Sequence, residues 1–252
     1  MISSAVNARL CCCKFFRKCF ARQGGLREVE VHNDIAFFRG QCFQRGSDSF
    51  DIQTLDNLFF HIAILTPVSS HVKFPLLWED LDQVLEYHKA LGVPYLICPN
   101  AGDWTDPPRT VEKLVRIKKK VEAAGLSFLY HNHNHEFLPV NGQRPVDLVV
   151  REMQMELDIF WAWVAGEDVA AYLTARADTV RFLHVKDGNR NPDTVRGGLS
   201  CALGEGSLPL ADILRTARRL GKDDWFIYEN DVSENSVAQA KTSLAALHRC
   251  MD

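Results

Sequence analysis

The chain has 252 residues, 46% of them hydrophobic and 24% charged, with a formal net charge of -3. That suffices for a large core, and α/β barrels commonly take this length as a single domain. The slight acidic balance gives no electrostatic footprint for nucleic acid, and no apolar run approaches the roughly 20 residues of a membrane span.

The first 27 residues stand apart. Arg9, Lys14, Arg17, Lys18, Arg22 and Arg27 come with no acidic residue, and Cys11, Cys12, Cys13 and Cys19 crowd the same stretch. Such a composition reads three ways: an irregular extension, a mitochondrial import segment, or an acylated segment near a membrane. Cys42, Cys98, Cys201 and Cys250 are scattered, with no CxxC pair. A disulfide scaffold is therefore not expected. A reducing compartment, the cytoplasm, fits best, with the mitochondrion as the alternative. A helix over residues 15–21 and a strand over 28–32 are the elements expected in this part, and no convincing first barrel strand is visible before residue 60.

A strand is expected to end near Ser69, Ser70 and His71, and from about residue 76 the pattern is regular. Leu77, Leu81, Val84, Leu85 and Leu91 recur at helical spacing, and Gly92 offers a C-terminal cap. Residues 95–98 follow as a strand closed by Pro99. Val111, Leu114, Val115, Ile117, Val121 and Ala124 mark a second helix, stopped by Gly125. Strands are then expected over 128–130, 155–158, 180–185 and 225–228. Helices are expected over 146–153, 168–175 (capped by Asp168), 213–220 and 236–250. The alternation, with nearly continuous apolar strands, predicts a parallel sheet covered by helices. No GxGxxG follows a strand, which counts against a dinucleotide-binding sheet.

Polar clusters begin where four of these strands stop. They are His131-Asn132-His133-Asn134-His135-Glu136, then Asp158, then His184 with Lys186 and Asp187, and last Glu229-Asn230-Asp231. In an open sheet such residues would be spread along an edge. In a closed barrel the C-terminal strand ends converge, and a mixed oxygen and nitrogen set there suits a divalent cation. Taken singly each has an ordinary explanation. A lone strand histidine such as His184 is more often a hydrogen-bonded core residue, Asp158 can cap a following turn, and Glu229 can form a surface ion pair. Trp161 walls a sugar pocket or simply packs. Gly204-Glu205-Gly206 reads as a turn needing positive φ more than as a phosphate cradle.

Tyr130-His131-Asn132-His133 followed by Glu136-Phe137 resembles the YHNHxxEF signature of the sugar phosphate isomerase/epimerase group, within the xylose isomerase-like barrels. Glu156-Leu157-Asp158 with Trp161, Ala165-Gly166 and Asp168 resembles that family's ELDxxWxxxAGxD stretch. Leu183 to Asp187, Gly204-Glu205-Gly206, and Tyr228 to Asp231 resemble its HxKD, GEG and ExD segments. The likeness runs from about residue 67 to the end. It departs from the family in its first 60 residues and in a shorter connection from Glu136 to Asp158. The fold expected is therefore a (β/α)₈ TIM barrel over residues 28–252, behind an atypical N-terminal segment over 1–27.

The resemblance implies one divalent metal ion (Mn, Mg, Zn or Co) on Glu136, Asp158, His184 and Glu229, with His131 and His133 as close competitors for the first place. It also implies that Glu136 and Glu229 carry protons, and that Lys186, His131, His133 and Trp161 contact the substrate. Isomerisation or epimerisation of a small sugar, sugar acid or cyclic polyol is then expected, by proton transfer through an enediolate. Dehydration of a keto-sugar or inosose begins with the same proton abstraction and is the alternative. An abasic-site nuclease would want more metal ligands and a basic groove. A catalytically silent barrel is the third reading. The partner expected is a small carbohydrate, with no nucleic acid and no membrane span, and association into a homo-oligomer is left open.

Overall fold

Short apolar runs, buried on both faces and separated by amphipathic helices, build the sheet that carries the polar clusters. The computed structural model describes residues 36–38, 41–43, 67–231 and 235–251. The expected segment 1–27, helix over 15–21 and strand over 28–32 lie outside the described residues. Ala36–Phe38 (β1) and Gln41–Phe43 (β2) pair antiparallel. Among the described residues no helix is long and apolar enough to cross a membrane.

Six strands form one parallel sheet: Ser69–His71 (β3), Tyr95–Cys98 (β4), Ser127–His131 (β5), Met155–Asp158 (β6), Val180–Val185 (β7) and Phe226–Tyr228 (β10). Their spatial order follows the chain from β3 to β10 without reversal. A doubly wound sheet would reverse at a switch point, so this is the winding of a barrel. The curl is measurable. Neighbouring strands lie about 4.8 Å apart, so β3 and β7, four places apart, would be far apart in a flat sheet. Yet the rings of His71 and His184 are 5.7 Å apart. Val68, Ile97, Leu129, Phe182 and Ile227 likewise meet in one inner cluster, joining both edges of the sheet.

Alternation along each strand sorts the other residues outward. Leu96, Cys98, Phe128 and Tyr130 pack under the helix Pro107–Ala123 (α3). That helix starts as its sequence dictates, with Pro107 in the first turn and the Asp106 carboxylate accepting from the Arg109 N–H at 3.2 Å. It ends at Gly125, whose φ of +83° suits a residue without Cβ. Val111, Leu114, Ile117 and Val121 bury its inner face, each contributing about 1.5–3 kcal/mol. Pro145–Glu152 (α4) and Val169–Ala175 (α6) continue the outer layer, and Asp168 caps α6 as expected by accepting from the Ala171 N–H. Leu210–Arg219 (α7) and Ser236–Met251 (α8) complete it.

Three features differ from the sequence expectation. The first helix is split into Phe74–Glu79 (α1) and Leu81–Ala90 (α2) at Asp80, whose φ of -124° and ψ of 30° are not helical. Asp competes with helical backbone through its own side chain. A short helix, Ile159–Val164 (α5), follows β6 directly. Its run of apolar residues has no exposed face, and so no period to read. Asp187–Arg190 (β8) and Gly198–Cys201 (β9) form an antiparallel hairpin between β7 and α7, a pair of strands absent from the expected elements.

His88 ties α2 to β3. Its Nδ1–H donates to the Val84 carbonyl at 2.7 Å, which leaves Nε2 to accept from the Ser70 hydroxyl at 3.0 Å. Burial holds its pKa below the ordinary 6.5. The unfolded chain therefore takes up this proton first as pH falls, so stability is full above 6.5 and drains below it. The melting temperature of wild type is expected to fall more steeply between pH 7 and pH 5 than that of His88→Gln; parallel curves would contradict this.

Candidate metal centre

The period of two in a strand places His131 on β5, Glu156 and Asp158 on β6, and His184 on β7 on the same concave face as Leu129 and Phe182. All four are buried, and Lys186, just past β7, is 2% exposed. Glu229 follows β10 and is held beside β7 by its N–H to the Val185 carbonyl, at 3.4 Å. Asn132 adds a reciprocal tie. Its amide donates to the Asp158 carbonyl and accepts from the Asp158 N–H, at 3.1 and 3.0 Å.

Among the described residues two groups of ligand-type side chains have their ligand atoms within 4.8 Å of one another: His71, His131 and Glu156, and His131, Asp158 and His184. His131 joins them. Its Nδ1 is 3.0 Å from Glu156 Oε1, an oxygen that His71 Nε2 also reaches at 2.6 Å. A carboxylate can only accept, so both nitrogens donate. Burial works to raise the Glu156 carboxyl, but His71 and His131 together hold it well below the usual range. With Nδ1–H committed to Glu156, His131 turns its other ring nitrogen, Nε2, toward Asp158 Oδ2 at 3.8 Å. His184 repeats the pattern, with Nδ1 donating to Asp158 Oδ2 at 3.0 Å and Nε2 lying 3.8 Å from Glu229 Oε2.

Each of those 3.8 Å contacts leaves a ring nitrogen and a carboxylate oxygen beyond hydrogen-bond distance of each other. A cation between them could take both as ligands. The set of two imidazoles and two carboxylates, oriented by further carboxylate bonds, fits a divalent metal ion. The Oε2 of Glu156 is buried without a partner, which adds unsatisfied negative potential beside it.

Lys186 closes the other side. Its Nζ lies 2.9 Å from Glu229 Oε2, 2.9 Å from Asp231 Oδ2 and 3.7 Å from Asp158 Oδ2. Burial works to lower its pKa, but Glu229, Asp158 and Asp231 outweigh this and push it up. The ammonium is permanent and can donate to a developing oxyanion. Asp158 feels the converse: burial raises it, yet Lys186 and His184 bring it down to about 2.

Glu136 is in neither of the two groups. Its carboxylate is fully buried, accepts from the Tyr130 hydroxyl at 2.5 Å and the His133 N–H at 2.8 Å, and sits 3.0 Å from His135 Nε2. Tyr130 belongs to the outward face of β5, so these bonds fold the loop after β5 back toward the helix layer. His133 stands between the two regions, its ring 5.1 Å from that of His131 and 6.2 Å from Trp161. Burial, reinforced by His131, lowers His133 to about 3, so its ring is neutral at ordinary pH. Trp161 also lies under Lys186 Nζ, 5.7 Å from the ring centroid.

Sequence reasoning passed over Glu156, His71 and Asn132. Glu156 carries a readable signal, since it stands two residues before Asp158 and so shares its face. The Gly204-Glu205-Gly206 turn proves to cradle the chain's own Asp187. The Gly204 and Gly206 N–H groups reach Asp187 Oδ2 at 2.8 and 3.3 Å, and the Gly188 N–H reaches Oδ1 at 2.7 Å. Gly204 has a φ of +82°, and a Cβ on Gly206 would run into the Asp187 carboxylate.

The model of the family described as xylose isomerase-like TIM barrel matches residues 40–250. Among solved structures, a sugar phosphate isomerase/epimerase from Parabacteroides distasonis ATCC 8503 is 19% identical, with 77% of this chain and 79% of that chain covered at a TM-score of 0.62. An L-ribulose 3-epimerase is 16% identical, with 83% of each chain covered and a TM-score of 0.56. A probable 3-DHS dehydratase from Bacillus anthracis is 12% identical, with 80% of this chain and 84% of that chain covered and a TM-score of 0.59. At these identities the likeness speaks for the fold. No curated protein matches the chain.

Proposed function

The chain belongs to the xylose isomerase-like TIM barrel family, and on that premise we propose that it is a metal-dependent isomerase or epimerase of a small sugar, sugar acid or cyclic polyol. The observation that carries the reading is the pairing of His131 Nε2 with Asp158 and of His184 Nε2 with Glu229, each at 3.8 Å, at the C-terminal ends of neighbouring strands. His131, Asp158, His184 and Glu229 would hold the ion. When bound, a divalent cation there polarises a carbonyl and acidifies the neighbouring C–H.

The chain's own groups supply the rest. Glu229 is the proton carrier in this reading, because its side chain is 21% exposed and so open to a substrate, while the other carboxylates of the set are fully buried. Lys186 donates an N–H to the oxygen that gains charge when the C–H proton leaves. Glu156 holds His131 in the tautomer that points Nε2 inward, and Asn132 fixes the backbone of Asp158. Trp161 and His133 wall the sugar. Glu136 is assigned to the loop, since Tyr130 and His133 occupy its oxygens.

The test is exchange. Manganese-loaded protein, incubated in D₂O with a panel of ketoses, keto-acids and inososes, is expected to place deuterium on the carbon next to the carbonyl of at least one of them. Exchange with the carbon skeleton intact supports isomerisation, and loss of water from the product would transfer the same proton chemistry to the dehydratase reading. A folded, metal-loaded protein that exchanges nothing across the panel contradicts both.

A further inference from the structure

We propose that Arg196, at the tip of the β8–β9 hairpin, forms a carboxylate-binding subsite with Trp161 and His133, so that the substrate is a sugar acid rather than a neutral sugar. The inference rests on the reading of the site given above and narrows its substrate class.

The hairpin is built to put Arg196 there. Gly188 on β8 and Gly198 on β9 both lie against the Phe160 ring of α5, where a Cβ would come within 2.8 and 2.9 Å of ring carbons. Only glycine permits that approach, and it docks the hairpin on the helix that carries Trp161. The tip is then tied to the metal-site loop, because the Asn134 amide donates to the Arg196 carbonyl at 2.9 Å. The Arg196 guanidinium lies 5.6 Å from the Trp161 ring centroid, and the His133 ring stands 6.2 Å from that of Trp161.

The electrostatics of this corner are lopsided. Among the described residues Arg196 is exposed and makes no ion pair, as is also true of Arg109 and Arg151; what sets it apart is its place over the Trp161 ring. Lys186, the nearby cation, is already held by Glu229 and Asp231. Trp161 is 4% exposed, yet its Nε1–H is buried without an acceptor, and His133 Nδ1 is buried without a partner. A solvent-exposed guanidinium without a carboxylate partner and a buried indole N–H without an acceptor thus meet at one ring. A carboxylate satisfies the planar guanidinium in bidentate fashion and keeps lone pairs for the neighbouring groups. A hydroxyl cannot neutralise the charge. A phosphate dianion would ask for a second uncommitted cation, and none of the residues named supplies one.

Titration calorimetry on the manganese-loaded full chain tests this without turnover, with gluconate, its neutral counterpart glucitol, and glucose 6-phosphate as probes. Gluconate is expected to bind wild type about tenfold more tightly than glucitol does, the effect of one charge-assisted pair. The ratio should fall to about one in Arg196→Gln and recover in part in Arg196→Lys. A ratio near one in wild type overturns the proposal. So does a ratio that survives Arg196→Gln, which would place the carboxylate on the metal, or a preference for glucose 6-phosphate. Because binding is read directly, a lost preference with deuterium exchange intact sinks the subsite alone. A retained preference with no exchange on any compound sinks the isomerase reading alone.

Discussion

Glu229→Gln is expected to slow deuterium exchange about 10³-fold while the protein melts within a few degrees of wild type. Removing a positioned general base typically costs 10²–10⁴-fold in rate. The amide keeps the shape of the side chain and can still accept from Lys186 through its carbonyl, but it cannot take up a proton. The fold should tolerate the change, because Lys186 retains Asp231 at 2.9 Å and Asp158 at 3.7 Å. Glu136→Gln makes the contrasting control. Its carboxylate anchors Tyr130 and the His133 N–H inside the protein, and bonds to a buried charge are worth about 1.5–3 kcal/mol each. That variant should lose more in melting temperature and less in exchange. The reverse pattern would move the proton transfer to Glu136.

The second large effect is expected at Asp158, whose carboxylate has three tasks. It caps α5 by accepting from the Trp161 N–H at 2.9 Å, holds His184 Nδ1 at 3.0 Å, and lies beside Lys186. Asp158→Ala removes a cap worth about 1 kcal/mol and orphans a buried imidazole N–H at about 1–3 kcal/mol. A loss of about 2–4 kcal/mol in stability should therefore accompany loss of the metal. Asp158→Asn keeps an oxygen for the cap and most of the shape, and gives up the charge. It should stay folded with metal affinity lost, which separates the electrostatic role from the structural one. His184→Ala removes one imidazole ligand and leaves the cap of α5 in place.

Much of this arrangement was legible in the residues, and the exceptions have physical causes. Continuous apolar runs at residues 95–98 and 180–185 mark strands buried on both faces, and Asp168 marks a helix start. The ends of the strands Met155–Asp158, Val180–Val185 and Phe226–Tyr228 point to Asp158, His184, Lys186 and Glu229. Where the chain leaves a strand, alternation stops dictating direction. Glu136, five residues beyond His131, resembles a ligand in the sequence, and in the fold its carboxylate accepts from the Tyr130 hydroxyl and the His133 N–H. Helix α5 was hidden by burial on all sides, which erases the helical period. Arg196 was hidden for a different reason. Its position depends on Gly188 and Gly198 meeting Phe160, a contact between segments that no local pattern reports. His71 becomes a neighbour of His131, with ring centroids 4.8 Å apart, through the curl of the sheet alone.

The account turns on a metal ion between His131, Asp158, His184 and Glu229. Metal content per chain, measured after manganese reconstitution and desalting, tests it most directly in wild type, Asp158→Asn and His184→Ala. About one equivalent in wild type, lost from both variants while their circular dichroism is unchanged, is the expected result. A wild-type protein that retains no metal, or variants that retain as much as wild type, would contradict it.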